Sequence, residues 1–164
     1  MFSPLYPSFK RLASRAAVSV LAVSLASVAW AHGDVVPQSV DTSTLPQLGS
    51  KWRDTNPYST GEGHKEALRI GTSAYNQNCA RCHGLEAISG GMSPDLRKLD
   101  GECMGYADAS KKAMCFDEMS DFFAATVRRG RVRDGRVYMP PFEGTLTQEA
   151  IWAIKTYLET RREP

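Results

Sequence analysis

Cys79-Ala80-Arg81-Cys82-His83 decides how this chain is read. Two thiols three positions apart, with a histidine directly after, have the spacing of covalent c-type haem attachment. On a helix that spacing sets both sulfurs one turn apart, within reach of the two vinyl groups of a single porphyrin. The adjacent imidazole then falls to the iron as an axial ligand. Two other chemistries use Cys-x-x-Cys. A dithiol redox pair wants a βαβ context, which the sequence lacks, and a zinc site wants a second ligand pair at short spacing. The remaining cysteines, Cys103 and Cys115, lie too far apart for that. No second Cys-x-x-Cys-His occurs, so the expected cofactor is one covalent haem c.

The N-terminus reads as an export signal. Lys10, Arg11 and Arg15 form a positive segment free of acidic residues, Ala16 to Ala31 is apolar, and Ala29-Trp30-Ala31 offers small residues for cleavage before His32. The apolar run is shorter than the roughly 20 residues needed to span a bilayer, so residues 1–31 read as a cleaved leader rather than an anchor. The destination is the bacterial periplasm. Without Lys10, Arg11 and Arg15, the 20 basic residues fall to 17 against 18 acidic ones. The exported chain is therefore weakly acidic despite the basic isoelectric point of the whole, and nothing marks a nucleic-acid binder. The 133 residues that remain suit one domain without a membrane span. Cys103 and Cys115, the even remainder in an oxidising compartment, are expected to pair. Such a bridge adds on the order of 3 kcal/mol by the chain-entropy estimate.

Three segments follow the leader. Residues 32–63, punctuated by Pro37, Pro46, Pro57, Gly49, Gly61 and Gly63, lack helical periodicity and read as an extended arm, with Trp52 and Tyr58 as its large aromatics. Residues 64–164 read as the haem-bearing domain. A first helix is predicted over Lys65 to Asn78, with Ala67, Gly71 and Tyr75 on one stripe. Gly71 within it implies a close approach to another helix. The partner is a last helix opened by the N-cap Thr147 and carrying Ile151, Trp152, Ile154, Tyr157 and Leu158. A third helix is predicted over Asp117 to Arg129, with Phe116, Met119, Phe123 and Val127 facing inward and Gly130 as its stop. Gly84 to Asp100 and Lys98 to Cys115 read as loops, and strand signals are weak. The class is all-α, three main helices and long loops around one haem.

Met139 is the expected sixth ligand. It lies far enough beyond His83 for the chain to cross to the other haem face, in Tyr138-Met139-Pro140-Pro141-Phe142. Two prolines stiffen that strap and bias Met139 to an extended conformation. Met92 is too near His83, Met104 and Met114 lie in the disulfide loop, and Met119 fits core packing; His64 reads as a solvated residue and His32 as a mobile terminus. The run Arg128-Arg129-Gly130-Arg131-Val132-Arg133-Asp134-Gly135-Arg136 has three open readings: a solvated loop, propionate partners, or a cationic docking patch.

Gly71-x-x-x-Tyr75, Cys79-x-x-Cys82-His83, Pro94-x-Leu96, Met139-Pro140 and the aromatic last helix together resemble class I cytochromes c. The resemblance implies His83 and Met139 as axial ligands and the Pro94 carbonyl as the acceptor for the free N–H of His83. Ala74 to Ala87, Val137 to Gly144, Glu149-Ala150-Ile151-Trp152, Trp52 with Asn56-Pro57-Tyr58, and the extra cysteine pair are similar to PedF-type cytochromes c. That similarity implies a soluble electron carrier, not an enzyme, accepting electrons from a periplasmic PQQ-dependent alcohol dehydrogenase. Its electrons would pass to a downstream cytochrome or terminal oxidase. Two rivals stay open: a tightly bound haem subunit of a dehydrogenase complex, attached through the arm, and a haem peroxidase or sensor with a labile sixth ligand.

Overall fold

Gly71 sets where the first and last helices of the haem-bearing domain cross. The computed structural model describes residues 36–91 and 93–163; the leader expected over residues 1–31, together with His32 and Met92, lies outside them. Helix α1 spans His64–Asn78 and a one-turn helix, α2, spans Ala80–His83. Helix α3 spans Ala109–Arg129 and α4 spans Gln148–Glu159, with strands β1 (Arg131–Arg133) and β2 (Arg136–Met139) between them. The three main helices match the expected number.

α1 buries Ala67, Ile70, Gly71, Ala74 and Tyr75 against α4. A Cβ on Gly71 would sit 1.9 Å from the Ala153 backbone oxygen, so the helices touch backbone to backbone. One turn further on, the Tyr75 and Tyr157 rings meet with centroids 5.0 Å apart and planes tilted by 41°. α4 starts where its cap dictates: Thr147 Oγ1 accepts from Ala150 N at 3.2 Å.

Two expectations need correction. α3 begins at Ala109 rather than near Asp117, so much of the expected loop over Lys98 to Cys115 is helix. Asp108 is its N-cap, accepting from Lys111 N at 2.9 Å. The first turns bury little apolar surface, and periodicity was blind to them for that reason. They are tied instead by a disulfide from Cys115 to the buried Cys103, with Cα atoms 5.5 Å apart. Second, the arginine run is not a loop but an antiparallel hairpin pairing Val132 with Val137 and Arg133 with Arg136. Asp134 (φ 50°) and Gly135 (φ 72°) both have positive φ at its turn. An Asp-Gly pair with two positive φ angles is the signature of a type I′ turn, whose twist suits a two-residue hairpin. The architecture is thus helical with one small hairpin.

The arm residues from 36 to 63 form no helix or strand, yet they are bonded to the helices at several points. Leu48 N donates to Glu149 Oε1 (2.9 Å) and Arg53 N to Gln148 Oε1 (2.6 Å), so the first turn of α4 caps the arm's backbone. Asn56 Nδ2 donates to Thr156 Oγ1 at 3.1 Å. Tyr58 is buried beside Trp152, with its hydroxyl on the Pro46 carbonyl at 2.5 Å. His64, expected to be solvated, is half-buried with Nδ1 2.8 Å from the Tyr58 carbonyl.

Lys155 and Asp100 form a buried ion pair at 2.8 Å, joined by Arg162 at 2.7 Å. Burial disfavours the Asp100 charge, but hydrogen bonds from Arg162 and Lys155 outweigh it and hold the carboxyl below its ordinary value. A depressed folded pKa adds stability above the unfolded carboxylate value that is lost as pH falls through the folded one. The thermal midpoint is therefore expected to drop below about pH 4. In Asp100→Asn the midpoint is lower at neutral pH and this part of the acid dependence is gone. A variant melt parallel to the parent's across pH 2 to 5 on the order of a degree would contradict the assignment.

Candidate functional site

The short helix α2 follows α1 after one residue, because Cys79 carries the α1 C-cap and opens α2 at once. Cys79 N donates to Tyr75 O at 2.8 Å, and His83 N donates to Cys79 O at 2.9 Å. Cys79 and Cys82 therefore lie one turn apart as unpaired, half-buried thiols. Gly84 turns the chain away with φ 79°, and a Cβ there would meet the Ile88 carbonyl oxygen at 1.9 Å. Tyr75 Oη donates to the Gly84 carbonyl at 2.8 Å, so α1 holds the turn behind His83.

His83 Nδ1 lies 2.9 Å from the Pro94 carbonyl. A carbonyl only accepts, so Nδ1 carries a proton, and in the neutral ring the lone pair is on Nε2. That tautomer is the one a metal-bound histidine needs when its other nitrogen is held by a backbone oxygen.

Met139 ends β2 and is half-buried against the main core cluster. The strap after it is fastened to the end of α3. Phe142 N donates to Val127 O (3.1 Å), Glu143 N to Arg128 O (3.2 Å), and Arg128 Nη2 reaches Glu143 Oε1 at 2.6 Å. Gly130 makes that approach possible, since its Cβ would come within 2.4 Å of the Met139 carbonyl oxygen. The Arg128 guanidinium also lies over the Trp52 ring at 4.0 Å, joining strap, helix and arm. Arg128 is thus a structural clamp, a role that reading the five arginines as one run missed.

The residues present fit a covalent haem. Cys79 and Met139, far apart in sequence, pack on the same core cluster, as do Leu68, Leu96, Leu99 and Trp52 from three further segments. These six side chains remain only partly buried, leaving apolar surface that a bound porphyrin would cover. The Cys79 and Cys82 thiols are placed for covalent attachment to a porphyrin, and the His83 imidazole and Met139 thioether are the kinds of group that ligate haem iron. The rival readings of Cys-x-x-Cys fare worse. Burial, with the neighbouring Cys82, pushes the Cys79 thiol up to about 12, opposite to the lowered value of a redox-active dithiol. Among the described residues no group of three or more His, Cys, Asp or Glu side chains gathers as a zinc site would require.

Helices packed around a Cys-x-x-Cys-His turn, with a methionine strap on the same core, define a c-type haem protein. Residues 66–158 match the family described as "Cytochrome C oxidase, cbb3-type, subunit III". The chain is 51% identical over 139 residues to cytochrome c550 of Pseudomonas aeruginosa, covering 84% of this chain and 86% of that protein. This chain belongs to the cytochrome c family, with covalently bound haem c and electron transfer rather than substrate turnover as its business. It is also 34% identical over 95 residues to the quinohemoprotein alcohol dehydrogenase ADH-IIG of Pseudomonas putida, covering 58% of this chain but 11% of that protein. A second such dehydrogenase from the same species, ADH IIB, is 31% identical over 96 residues. No solved structure matches the chain significantly. No helix among the described residues is long and apolar enough to cross a membrane.

Proposed function

We propose that this cytochrome is a periplasmic mono-haem carrier that takes electrons from a PQQ-dependent alcohol dehydrogenase and delivers them to a downstream cytochrome or terminal oxidase. The observation that carries the donor assignment is the match to ADH-IIG. A segment like this chain makes up 11% of a protein that is itself a quinohemoprotein alcohol dehydrogenase. The same haem module serving as a separate acceptor for such an enzyme is the economical reading. The export signal read at residues 1–31 and the paired Cys103 and Cys115 support the oxidising compartment.

Cys79 and Cys82 would hold the porphyrin by thioether bonds, and His83 and Met139 would be the axial ligands. Haem c, when bound, supplies a one-electron iron couple. The chain's own part is positional. Pro94 O fixes the His83 ring by its Nδ1–H, and the α3 anchors of Phe142 and Glu143 hold the Met139 strap, so neither ligand need move between oxidation states. The apolar side chains of Trp52, Leu68, Leu96 and Leu99 would keep water from the group, and Met139 as a ligand would leave peroxide or gas no open position. The arm's bonds to α1 and α4 are internal, which favours a free carrier over a subunit attached through that arm.

The test is stopped-flow reduction of the holoprotein by purified quinoprotein dehydrogenase with alcohol. Reduction much faster than with an unrelated NAD-dependent alcohol dehydrogenase is expected. Equal rates would remove the donor assignment, and co-elution with the dehydrogenase at low concentration would favour the subunit reading.

A further inference from the structure

The hairpin that leads into Met139 has a construction its own stability does not explain. Side chains alternate across a strand, so Val132 and Val137 share one face while Arg133 and Arg136 stand opposite each other on the other. Both faces meet solvent: Val132 is 67% exposed, Val137 64% and the adjacent Tyr138 65%. A lone two-stranded ribbon is marginal in water, and like charges directly opposite weaken it further. Asp134 reaches Arg133 only at 3.6 Å and is itself highly exposed. Among the described residues, Arg136 has no ion-pair partner. The base, in contrast, is secured: Arg131 Nη2 donates to Thr126 Oγ1 at 2.6 Å, and its guanidinium lies over Phe122. A firmly mounted element thus presents repelling cations and bare apolar surface. The chain beyond the leader has 17 basic against 18 acidic residues, yet residues 128–136 hold five arginines and one aspartate.

We propose that the β1–β2 hairpin is a docking element for a carboxylate-bearing, partly apolar patch on the electron-donor protein; this rests on the donor reading above. Carboxylates on the partner relieve the Arg133–Arg136 repulsion, with guanidinium geometry suited to paired hydrogen bonds. Tyr138, two residues from Arg136 and so on the arginine face, supplies the desolvated contact. An anionic lipid surface offers charge too, but with Arg128 and Arg131 engaged at the base only three arginines of the run are left, fewer than the 4–8 cations that mark lipid binding. The strand also ends on Met139, the proposed iron ligand. A redox protein gains from that continuity, whereas a lipid does not.

The test uses the exported holoprotein and the variants R136E and R133E/R136E. At low salt the double variant is expected to be reduced by the quinoprotein dehydrogenase with alcohol about tenfold more slowly, with the gap closing at high salt. Reduction by neutral hydroquinone stays at the parent rate. R136E docks less well yet melts at the same or a higher temperature, because it turns a like-charge pair into an opposite one. Adsorption to a carboxylate-terminated electrode gives a readout free of the dehydrogenase and falls in both variants. Unchanged adsorption and unchanged salt-dependent reduction would overturn the proposal. So would loss of binding to phosphatidylglycerol vesicles with reduction and adsorption intact, which assigns the hairpin to lipid. If the dehydrogenase fails to reduce even the parent, the donor reading falls alone and the electrode decides the hairpin.

Discussion

Gly71→Ala is expected to lower stability by at least about 3 kcal/mol, the top of the usual range for overpacking. In isolation the change favours helix by about 1 kcal/mol. That gain is overwhelmed because the new Cβ would lie 1.9 Å from the Ala153 carbonyl oxygen and 2.5 Å from its carbon. The obstacle is backbone, so no side-chain exchange on α4 relieves it; the helices must separate by more than an ångström. Separation reaches the Tyr75–Tyr157 contact and, through the Tyr75 hydroxyl, the turn behind His83. At roughly 4 °C per kcal/mol for a domain of this size, the melting midpoint drops by about 12 °C. Gly90→Ala is the control, since nothing lies within 4 Å of its added Cβ, and it should stay within about 0.5 kcal/mol of the parent. Thermal melts of the holoproteins followed by circular dichroism decide it. A Gly71→Ala midpoint equal to that of Gly90→Ala would show that the helix crossing is looser than described.

That crossing was readable in advance because its cause is local. A glycine on an apolar helical stripe, with an aromatic-rich helix at the other end of the chain, leaves few ways to bury both. The hairpin had a local cause too. Asp134-Gly135 flanked by Val132 and Val137 carries a type I′ turn signal, set within a run whose five arginines dominate its composition. The start of α3 was partly visible, since Asp108 is a good N-cap residue. Its first turns have no apolar stripe, however, and depend on a covalent link to Cys103. Other features have no sequence signature. Lys155 stands among apolar residues of α4 and is acceptable there only because Asp100, 55 positions away, meets it. Gln148 and Glu149 look like ordinary first-turn residues until the arm's backbone at Arg53 and Leu48 arrives to donate to them. Such pairings are decided by tertiary packing. In the candidate site, the thiols and His83 follow from five consecutive residues, whereas the anchoring of the Met139 strap through Arg128, Gly130 and Glu143 emerges only in three dimensions.

Met139→Ala is expected to keep the fold and change the character of the iron. Met139 is half-buried at a strand end, and the strap beyond it stays fixed by Phe142 and Glu143 through backbone bonds to α3. Loss of the thioether removes the ferric iron–sulfur charge-transfer band and lets the ferrous protein bind carbon monoxide, which the parent should not do. The reduction potential also falls, on the order of 0.1 V or more, within the roughly 0.8 V span that axial ligands control. Met139→His separates ligand identity from ligand loss. A bis-nitrogen site should refuse carbon monoxide yet still show a lowered potential, because the thioether is what favours the reduced state. Met119→Leu serves as the comparison, a volume-conserving change in the half-buried face of α3 that should leave both band and potential in place. Persistence of the charge-transfer band in Met139→Ala would assign the sixth position to another residue. Carbon monoxide binding to the parent would instead restore the sensor or peroxidase reading. The size of the potential shift matters for function as well. If the proposed donor holds, its reduced quinone cofactor loses driving force when the acceptor potential falls, so Met139→Ala should slow reduction by the dehydrogenase even with the β1–β2 hairpin unaltered.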